Sequence, residues 1–368
     1  MFDAPPTLNL PPSTVLVEDV DEEIFLLYSR KQQLASSNSA VASTSPSGLG
    51  SHSDKEGVLS LSLAIKDPWT AAVDAGPHSS GRSKRTASSK SKKGKEKEEV
   101  TVDVELHQAL DVLRHRKGDT GSVLWRVSLH LATYLLTTHH FPSPLCPPLL
   151  PALSTSSVLE LGSGTGFLGL ALRSIFASAP TESSSATKGK GKAVKRDKGA
   201  DGRTSWTFSD QLASLPLVMR NLRTNNVDAT PTFAVEELDW LAESSAWQQN
   251  RQPLASSALS GSSSVEPTVP PDLIIAADCI YNPSLSAPLA HTILRQAGPK
   301  TVVLVASELR DEEPLEAFLR TWFEEGGEKW RIARLAWDTE EEKRVAGELD
   351  GGQFVVWVGW QEQVGEEQ

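Results

Sequence analysis

The sequence predicts an α/β protein built on a mostly parallel β-sheet with helices on both faces. Apolar strand-like runs alternate with helical segments over most of the region after residue 100 of the 368-residue chain. These strands are apolar throughout, which is typical of parallel strands buried on both faces. Five strand–helix steps followed by two alternating segments predict a seven-stranded sheet that ends in an antiparallel hairpin.

Composition indicates one globular domain with long inserts. Apolar residues are 39% of the chain and the net charge is −11, yet basic residues cluster near positions 90 and 195. Cys146 and Cys279 form neither a CxxC pair nor a disulfide framework, so we predict no metal site and a reducing compartment. No apolar run approaches the roughly 18 residues of a membrane span. We expect a soluble monomer in the cytoplasm and also in the nucleus.

Two regions follow from the distribution of low-complexity sequence. Residues 1–100 form an N-terminal extension, in which TVLVEDVDEEIFLLYSRKQQ predicts an extended run and a helix, and LSLSLAI predicts a strand between Ser/Lys-rich linkers. Residues 101–368 form the main domain. Ser/Lys-rich inserts near 177–204 and 242–270 interrupt it.

The main domain begins with a predicted helix from Thr101, which carries Val104, Leu106, Leu110 and Leu113 and is broken by GDTGSVLW. The next predicted elements are a helix in VSLHLATYLLTT, a strand in SSVLEL, a helix in FLGLALRSIF, a strand in SWTFSD, a helix in LASLPLVMRNLRTNN and strands in TFAVEELDW and DLIIAADCIY. The remaining elements are a helix in SAPLAHTILRQA, a strand in TVVLVASEL, a helix in LEAFLRTWFEEG and the antiparallel pair WRIARLAW and QFVVWVGW.

The glycine-rich segment VLELGSGTGFLGLAL, residues 158–172, joins a predicted strand to a predicted helix. Its GTGFLG portion matches the GxGxxG pattern of dinucleotide-binding Rossmann-like sheets, so an NAD-dependent oxidoreductase is one alternative. However, Glu160 precedes the loop, and a carboxylate there would repel a pyrophosphate. Glu160 therefore favours a ligand with an ammonium group, such as S-adenosylmethionine. A carboxylate that only accepts hydrogen bonds from the loop is the alternative.

Two further strand ends supply candidate ligand contacts. Asp210 ends the second strand, and its spacing from the glycine loop fits a ribose-binding acid once the insert is removed. Its alternative role is to cap the helix that follows. Trp240 follows the third strand, where an indole can lie against adenine or pack in the core.

Together VLELGSGTG, LASLPLVMRNLRTNN, LDW and AADCIY resemble the seven-β-strand protein-lysine methyltransferases of methyltransferase family 16, over about residues 104–360. The resemblance implies a class I methyltransferase fold with S-adenosylmethionine as cofactor. Within the family, EEIFLLY, GDTGSVLW and SELRDEEPLEAFL resemble fungal members, which implies a lysine of a large-subunit ribosomal protein, L1, as the acceptor.

The resemblance also implies roles for individual residues. The glycine loop would contact the methionine end of the cofactor, Asp210 its ribose, and two tryptophans its flanks. Asp278 and Tyr281 match the family's DxxY motif and are the predicted catalytic residues. The predicted cofactor-binding residues are Trp125, Glu160, Gly162, Ser163, Gly164, Asp210, Trp240 and Ala277.

The DxxY segment suggests how an amine could be handled. Asp278 could capture the ammonium of a lysine and orient the amine, while the Tyr281 ring walls the channel. Simple capping by Asp278 and packing by Tyr281 are the alternatives. Glu308 and Arg310 follow the fifth strand, as candidate substrate contacts or as a surface ion pair.

Two other kinds of function stay open at this point. The basic tracts could belong to a nucleic-acid-binding or ribosome-binding module, but they lack interleaved aromatic residues, so we expect no direct sequence-specific contact with nucleic acid. DCIY also lacks the two prolines usual in enzymes that methylate adenine in nucleic acid. An inactive module that kept the cofactor fold should lack Asp278 and Tyr281, and both are present.

Overall fold

The structure is a computed structural model, and it describes most of the main domain together with parts of the N-terminal extension. The described residues are 4–37, 51–53, 55–70, 99–110, 121–177, 205–227, 232–251 and 269–362.

Strands and helices are numbered here in chain order. The strands are β1 (Val15–Leu16), β2 (Val58–Lys66), β3 (Glu99–His107), β4 (Ser157–Leu161), β5 (Ser205–Asp210), β6 (Phe233–Glu237), β7 (Leu273–Ala277), β8 (Val302–Glu308), β9 (Trp330–Arg334) and β10 (Phe354–Gln361). The helices are α1 (Val20–Ser37), α2 (Arg126–His140), α3 (Phe167–Ala177), α4 (Leu215–Thr224), α5 (Trp240–Arg251), α6 (Pro283–Gln296), α7 (Glu312–Gly326) and α8 (Glu340–Ala346).

One large sheet forms the centre of the fold. Its strand order is β1-β9-β10-β8-β7-β4-β5-β6, with β4 to β8 parallel and β10 antiparallel to both of its neighbours. The predicted fold class is thereby confirmed, including the terminal antiparallel pair β9 and β10. The chain order reverses beside β4, because β5 lies on one side of it and β7 on the other.

Helices cover both faces of this sheet. On one face the buried apolar cluster includes Leu131 of α2, Leu170 of α3 and Val218 of α4. On the other face it includes Ile293 of α6 and Phe318 of α7. Burial on both faces explains the apolar sequences of the central strands β7 and β8. The edge strand β6 has no buried residue and ends in two glutamates, so the prediction that all parallel strands are apolar is wrong there. Among the described residues, no helix combines the length and the apolar character that crossing a membrane requires.

The segment from Thr101 is a strand, so the helix predicted there is wrong. β3 pairs antiparallel with β2, and this hairpin joins the predicted N-terminal extension to the main domain. Val102, Val104 and Leu106 are buried while the residues between them are exposed, which is the period of a strand. The segment is too short for its spacing alone to separate the two periods, and pairing with β2 decides the outcome. Leu113 lies outside the described residues.

The amino-terminal segment adds an eighth strand to the sheet, where the sequence predicts seven. Val15 and Leu16 of β1 pair with Arg334 and Ala333 of β9. A two-residue strand carries no periodicity, and it forms because it covers the otherwise unpaired edge of β9. The predicted helix follows as α1, and it buries Ile24 against α7 and the sheet.

The insert predicted over residues 242–270 begins too early. α5 continues to Arg251 despite its serines, and the Trp247 ring stacks on His291 of α6 with 6.3 Å between ring centroids. Packing against α6, which composition does not reveal, fixes this helix. Residues 252–268 of this insert and 178–204 of the earlier one lie outside the described residues.

Candidate active site

A cleft opens at the carboxyl ends of β4, β5, β6 and β7, beside the reversal of strand order. Parallel α/β sheets bind their ligands at this position. All ten site residues that the sequence predicts line this cleft, although they are spread over more than 150 positions of the chain. They are Trp125, Glu160, Gly162, Ser163, Gly164, Asp210, Trp240, Ala277, Asp278 and Tyr281.

The loop between β4 and α3 requires glycine at two positions in the cleft. Gly162 and Gly164 have φ angles of +63° and +54°, in the left-handed region that disfavours residues with a Cβ. A Cβ built on Gly162 would lie 2.7 Å from Sγ of Cys279, and one on Gly164 would lie 2.8 Å from the carbonyl oxygen of Gly121. A Cβ at either position would collide with these atoms, so this loop, which we call the glycine cradle, can line the cleft only as bare backbone.

Asp210 lies at the end of β5 and faces this loop. Its Oδ2 accepts a hydrogen bond from the N–H of Gly164 at 2.8 Å, and its Oδ1 accepts one from the N–H of Gln211 at 2.8 Å. The cap of α4 is Ser214, so the alternative that Asp210 caps this helix is wrong. The carboxylate is placed where the ribose role requires an acid, and the role itself stays a prediction.

Glu160 is buried behind the loop. Its Oε2 accepts a hydrogen bond from Nε1 of Trp206 at 2.7 Å. Burial raises the pKa of Glu160 to about 8, against hydrogen bonds from Trp206 and from the backbone of Gly169 that lower it. The carboxyl group is therefore largely neutral at pH 7, and its charge is a weaker argument for a cationic ligand than the sequence suggested. Its hydrogen bonds come from β5 and α3 and not from the loop, so Glu160 holds α3 against β5, and its predicted contact with the ligand stays a prediction.

Two tryptophans line the cleft in different ways. The six-membered ring of Trp240 lies 3.1 Å from a Cβ built on Gly162. Among the described residues, the buried Nε1 of Trp240 has no hydrogen-bond partner. Trp125 precedes α2, and its ring centroid lies 4.9 Å from Cζ of Arg310. Trp240 thus borders the glycine cradle, whereas Trp125 faces a cation.

Asp278 follows β7 in a left-handed conformation, with φ of +60°, which is uncommon for a residue other than glycine. Its N–H donates to the carbonyl oxygen of Ala306 in β8 at 2.8 Å. Its side chain is 1% exposed and accepts two hydrogen bonds from Arg310, at 3.0 Å to Oδ1 and 2.6 Å to Oδ2. The predicted acceptor-binding carboxylate is therefore already paired within the chain.

Glu308 and Arg310 form an ion pair, as the sequence suggested, but this pair lies in a partly buried network and not at the surface. Glu308 lies between two guanidiniums, 3.2 Å from Arg310 and 2.6 Å from Arg126. Burial lowers the pKa of Arg310, but the charges of Asp278 and Glu308 outweigh this effect and raise it. Arg126 and Gly121 were missed, because no pattern in the sequence links them to β8 or to the glycine loop.

Cys279 is the one thiol in the lining of this cleft. Its Sγ donates to the carbonyl oxygen of Leu161 at 3.3 Å. Burial raises the pKa of this thiol well above its usual value. Cys279 is therefore a packed, protonated side chain beside Gly162, and nucleophilic chemistry by a thiolate has no support here.

These observations fit S-adenosylmethionine as the ligand. The glycine cradle, Asp210 and the Trp240 indole line one cleft, and the N–H of Gly164 donates to Asp210 there. Residues 105–322, more than half of the chain, match the family described as lysine methyltransferase (methyltransferase family 16). The chain belongs to this family. S-adenosylmethionine is accordingly its cofactor, as the sequence predicts.

One curated relative is 29% identical over 226 residues and is named diaminohydroxyphosphoribosylamino-pyrimidine deaminase, from Schizosaccharomyces pombe. The match covers 60% of this chain and 43% of that protein, so the chain spans less than half of the length of this relative.

One similar solved structure is a protein from Streptococcus mutans that is named a SAM-dependent methyltransferase. The match has a TM-score of 0.37 and 11% identity, and it covers 71% of this chain and 53% of that protein. Another is human N-acetylserotonin methyltransferase with SAM, with TM-score 0.32, 12% identity and coverage of 63% and 52%. Because these TM-scores are low, neither structure supports an argument about this protein, and the fold assignment rests on its own strand order.

Proposed function

We propose that the protein is an S-adenosylmethionine-dependent protein-lysine N-methyltransferase whose acceptor is a lysine of a large-subunit ribosomal protein, L1. The observation that carries the proposal is the meeting of two motifs in one cleft, because the glycine loop after β4 and the DxxY segment Asp278–Tyr281 after β7 both line it. The family description supports lysine as the acceptor. The ribosomal acceptor is supported by the sequence resemblance alone.

Methyl transfer to lysine requires a neutral amine. The ordinary lysine pKa of about 10.4 makes deprotonation at neutral pH cost roughly 4 to 5 kcal/mol. Transfer of the side chain into a partly apolar cleft lowers that pKa and offsets part of the cost. The bound cofactor supplies the methyl group from a positively charged sulfur.

The residues of this chain contribute orientation. The glycine cradle and Asp210 hold the donor end, and the Tyr281 ring supplies an aromatic wall beside Asp278 that favours positive charge between the sulfur and the amine. Alignment of the amine with the methyl group is the main source of acceleration in this proposal.

Deamination, the activity in the name of the Schizosaccharomyces pombe relative, is not part of the proposal. More than half of that relative lies outside the match. Zinc-dependent nucleobase deaminases hold their metal through a PCxxC segment, and the two cysteines of this sequence are not so spaced.

The test is transfer of labelled methyl groups from S-adenosylmethionine into a lysate of cells that lack the protein, and into purified large ribosomal subunits. We expect a labelled band that protease removes and RNase leaves, with methyl-lysine in L1 by mass spectrometry. Asp278→Ala should abolish the label, whereas Glu362→Gln, which removes a surface ion pair with Arg331, should not. Label only in RNA or in small molecules would contradict lysine methylation, and label in another protein would contradict L1.

A further inference from the structure

Five side chains form a cluster beside the DxxY segment, which we call the ion-pair cluster: Trp125, Arg126, Asp278, Glu308 and Arg310. They come from the start of α2, from the ends of β7 and β8, and from the loop before α7. Trp125 and Asp278 line the cleft, so the cluster meets the space in which an acceptor side chain would lie.

Arg310 lies at the centre of the cluster. It donates two hydrogen bonds to Asp278 and one to Glu308, and its Cζ lies 4.9 Å from the Trp125 ring centroid. Two carboxylates and an aromatic face are the groups that recognise an alkylammonium ion. The surroundings of Arg310 are therefore those of a binding site for an organic cation, occupied by a cation of the chain itself.

Charge balance restricts what can join this cluster. Its two carboxylates are matched by the guanidiniums of Arg126 and Arg310, so its formal charge is zero. Both oxygens of Asp278 are bound to Arg310. An additional ammonium ion would find no uncompensated carboxylate, so it can reach Asp278 only where Arg310 now lies.

Exchange is favourable only for a cation. Removing one partner from a buried ion pair leaves an unpaired charge, which is strongly unfavourable. An incoming ammonium replaces the positive charge beside Asp278, while Arg310 can keep its ion pair with Glu308 and its contact with the Trp125 ring. A neutral side chain restores nothing. Arg310 also lies in a three-residue loop between β8 and α7, outside any helix or strand.

We propose that Arg310 is a specificity-determining residue that occupies an ammonium site formed by Asp278, Glu308 and Trp125, and that a cationic acceptor binds by exchange with it. The inference rests on the proposed function for the identity of that acceptor, a lysine. Arg310 thereby excludes neutral side chains and keeps Asp278 paired when no acceptor is bound.

The test is titration of n-butylammonium, a mimic of the lysine side chain, into the protein saturated with S-adenosylhomocysteine, followed by calorimetry. Because Arg310→Gln removes the competing cation, it should bind n-butylammonium at least about tenfold more tightly than the wild-type protein. Arg331→Gln, which breaks a bidentate surface pair with Glu362, is the matched control and should behave as wild type. n-Butanol cannot restore the positive charge at Asp278, so it should bind neither the wild-type protein nor any of the variants measurably.

Unchanged or weaker binding of n-butylammonium by Arg310→Gln, with S-adenosylhomocysteine still bound normally, would overturn the proposal. If Arg310→Gln does not fold, Arg310→Met serves instead, because it also removes the competing cation while keeping an unbranched side chain, and an affinity no higher than wild type then overturns the idea. Adding Asp278→Asn to Arg310→Gln should remove the gain.

This measurement needs no methyl transfer. A gain in n-butylammonium binding together with no label on protein lysine would leave the exchange standing and sink the proposed function. Protein labelling without that gain would do the reverse.

Discussion

The two sides of the cleft are held together by different kinds of contact. The glycine loop and Asp210, which we call the donor side, are held in place by backbone contacts. The N–H of Gly164 donates to Asp210, and Gly162 lies against Cys279. The ion-pair cluster beside the DxxY segment, which we call the acceptor side, is held in place by charged side chains, because Asp278 and Glu308 both pair with Arg310. The donor side therefore depends on the absence of added atoms, whereas the acceptor side depends on the balance of charge.

The largest expected effect concerns the neutral carboxyl on the donor side. The pKa of Glu160 is raised by burial from 4.5 to about 8 in the folded protein, so its contribution to stability is full below pH 4.5 and is lost as the pH rises toward 8. By linkage the loss between pH 5 and pH 8 is on the order of 4 kcal/mol. Melting temperatures from pH 5 to pH 9 should show wild type losing stability relative to Glu160→Gln.

Glu362→Gln, at a surface ion pair, should follow wild type over the same range. Parallel melting curves for wild type and Glu160→Gln would show instead that Glu160 is ionised in the fold. The donor side would then also depend on charge, and the contrast with the acceptor side would disappear.

Gly164→Ala tests the steric requirement of the donor side. A left-handed alanine costs roughly 1 to 2 kcal/mol, and the contact with the Gly121 backbone adds roughly 1 to 3 kcal/mol. The Kd of S-adenosylhomocysteine should rise about 100-fold in calorimetry. Gly57→Ala is the control, because a Cβ there would meet nothing within 4 Å. A change within about threefold would mean that the loop adapts.

Asp278→Asn tests the charge requirement of the acceptor side. The amide leaves Arg310 with Glu308 as its carboxylate in the cluster and removes the acid that would hold the lysine. We expect kcat/KM to fall roughly 50-fold, or about 2.3 kcal/mol, with the Kd of the cofactor nearly unchanged. An equal loss of cofactor affinity would show that the two sides are not independent.

Asp210→Ala should have the smallest effect of the four. It removes the hydrogen-bond acceptor of the Gly164 N–H and the predicted ribose contact, so the Kd of S-adenosylhomocysteine should rise about 10-fold. Asp272→Ala is matched to it, because Asp272 also accepts from a backbone N–H at 2.8 Å but lies at the opposite end of the sheet, beside Ser157. Equal effects of the two variants on the Kd of S-adenosylhomocysteine would show that Asp210 does not contact the cofactor.

Two errors and one omission of the sequence-based prediction share one cause. The strand β3, the end of the helix α5 and the pairing of the predicted extended run as β1 each depend on a partner distant in the sequence: β2, α6 and β9. Local periodicity was ambiguous or absent in these segments, so pairing and packing decided them. The long apolar strands and helices of the central sheet were predicted correctly, because burial on both faces leaves a continuous pattern.

The sequence by itself determined the fold class and the glycine loop, because strand–helix alternation and glycine spacing are local patterns of the chain. The strand-end acids Glu160 and Asp210 follow from the same patterns, whereas Trp125 and Ala277 were implied by the family resemblance. Only the tertiary structure decided the state of the charges. Burial makes Glu160 largely neutral, and the fold brings Arg310 onto Asp278 from 32 positions away. Both outcomes depend on solvent exclusion and on distances between side chains, which no spacing in the sequence encodes.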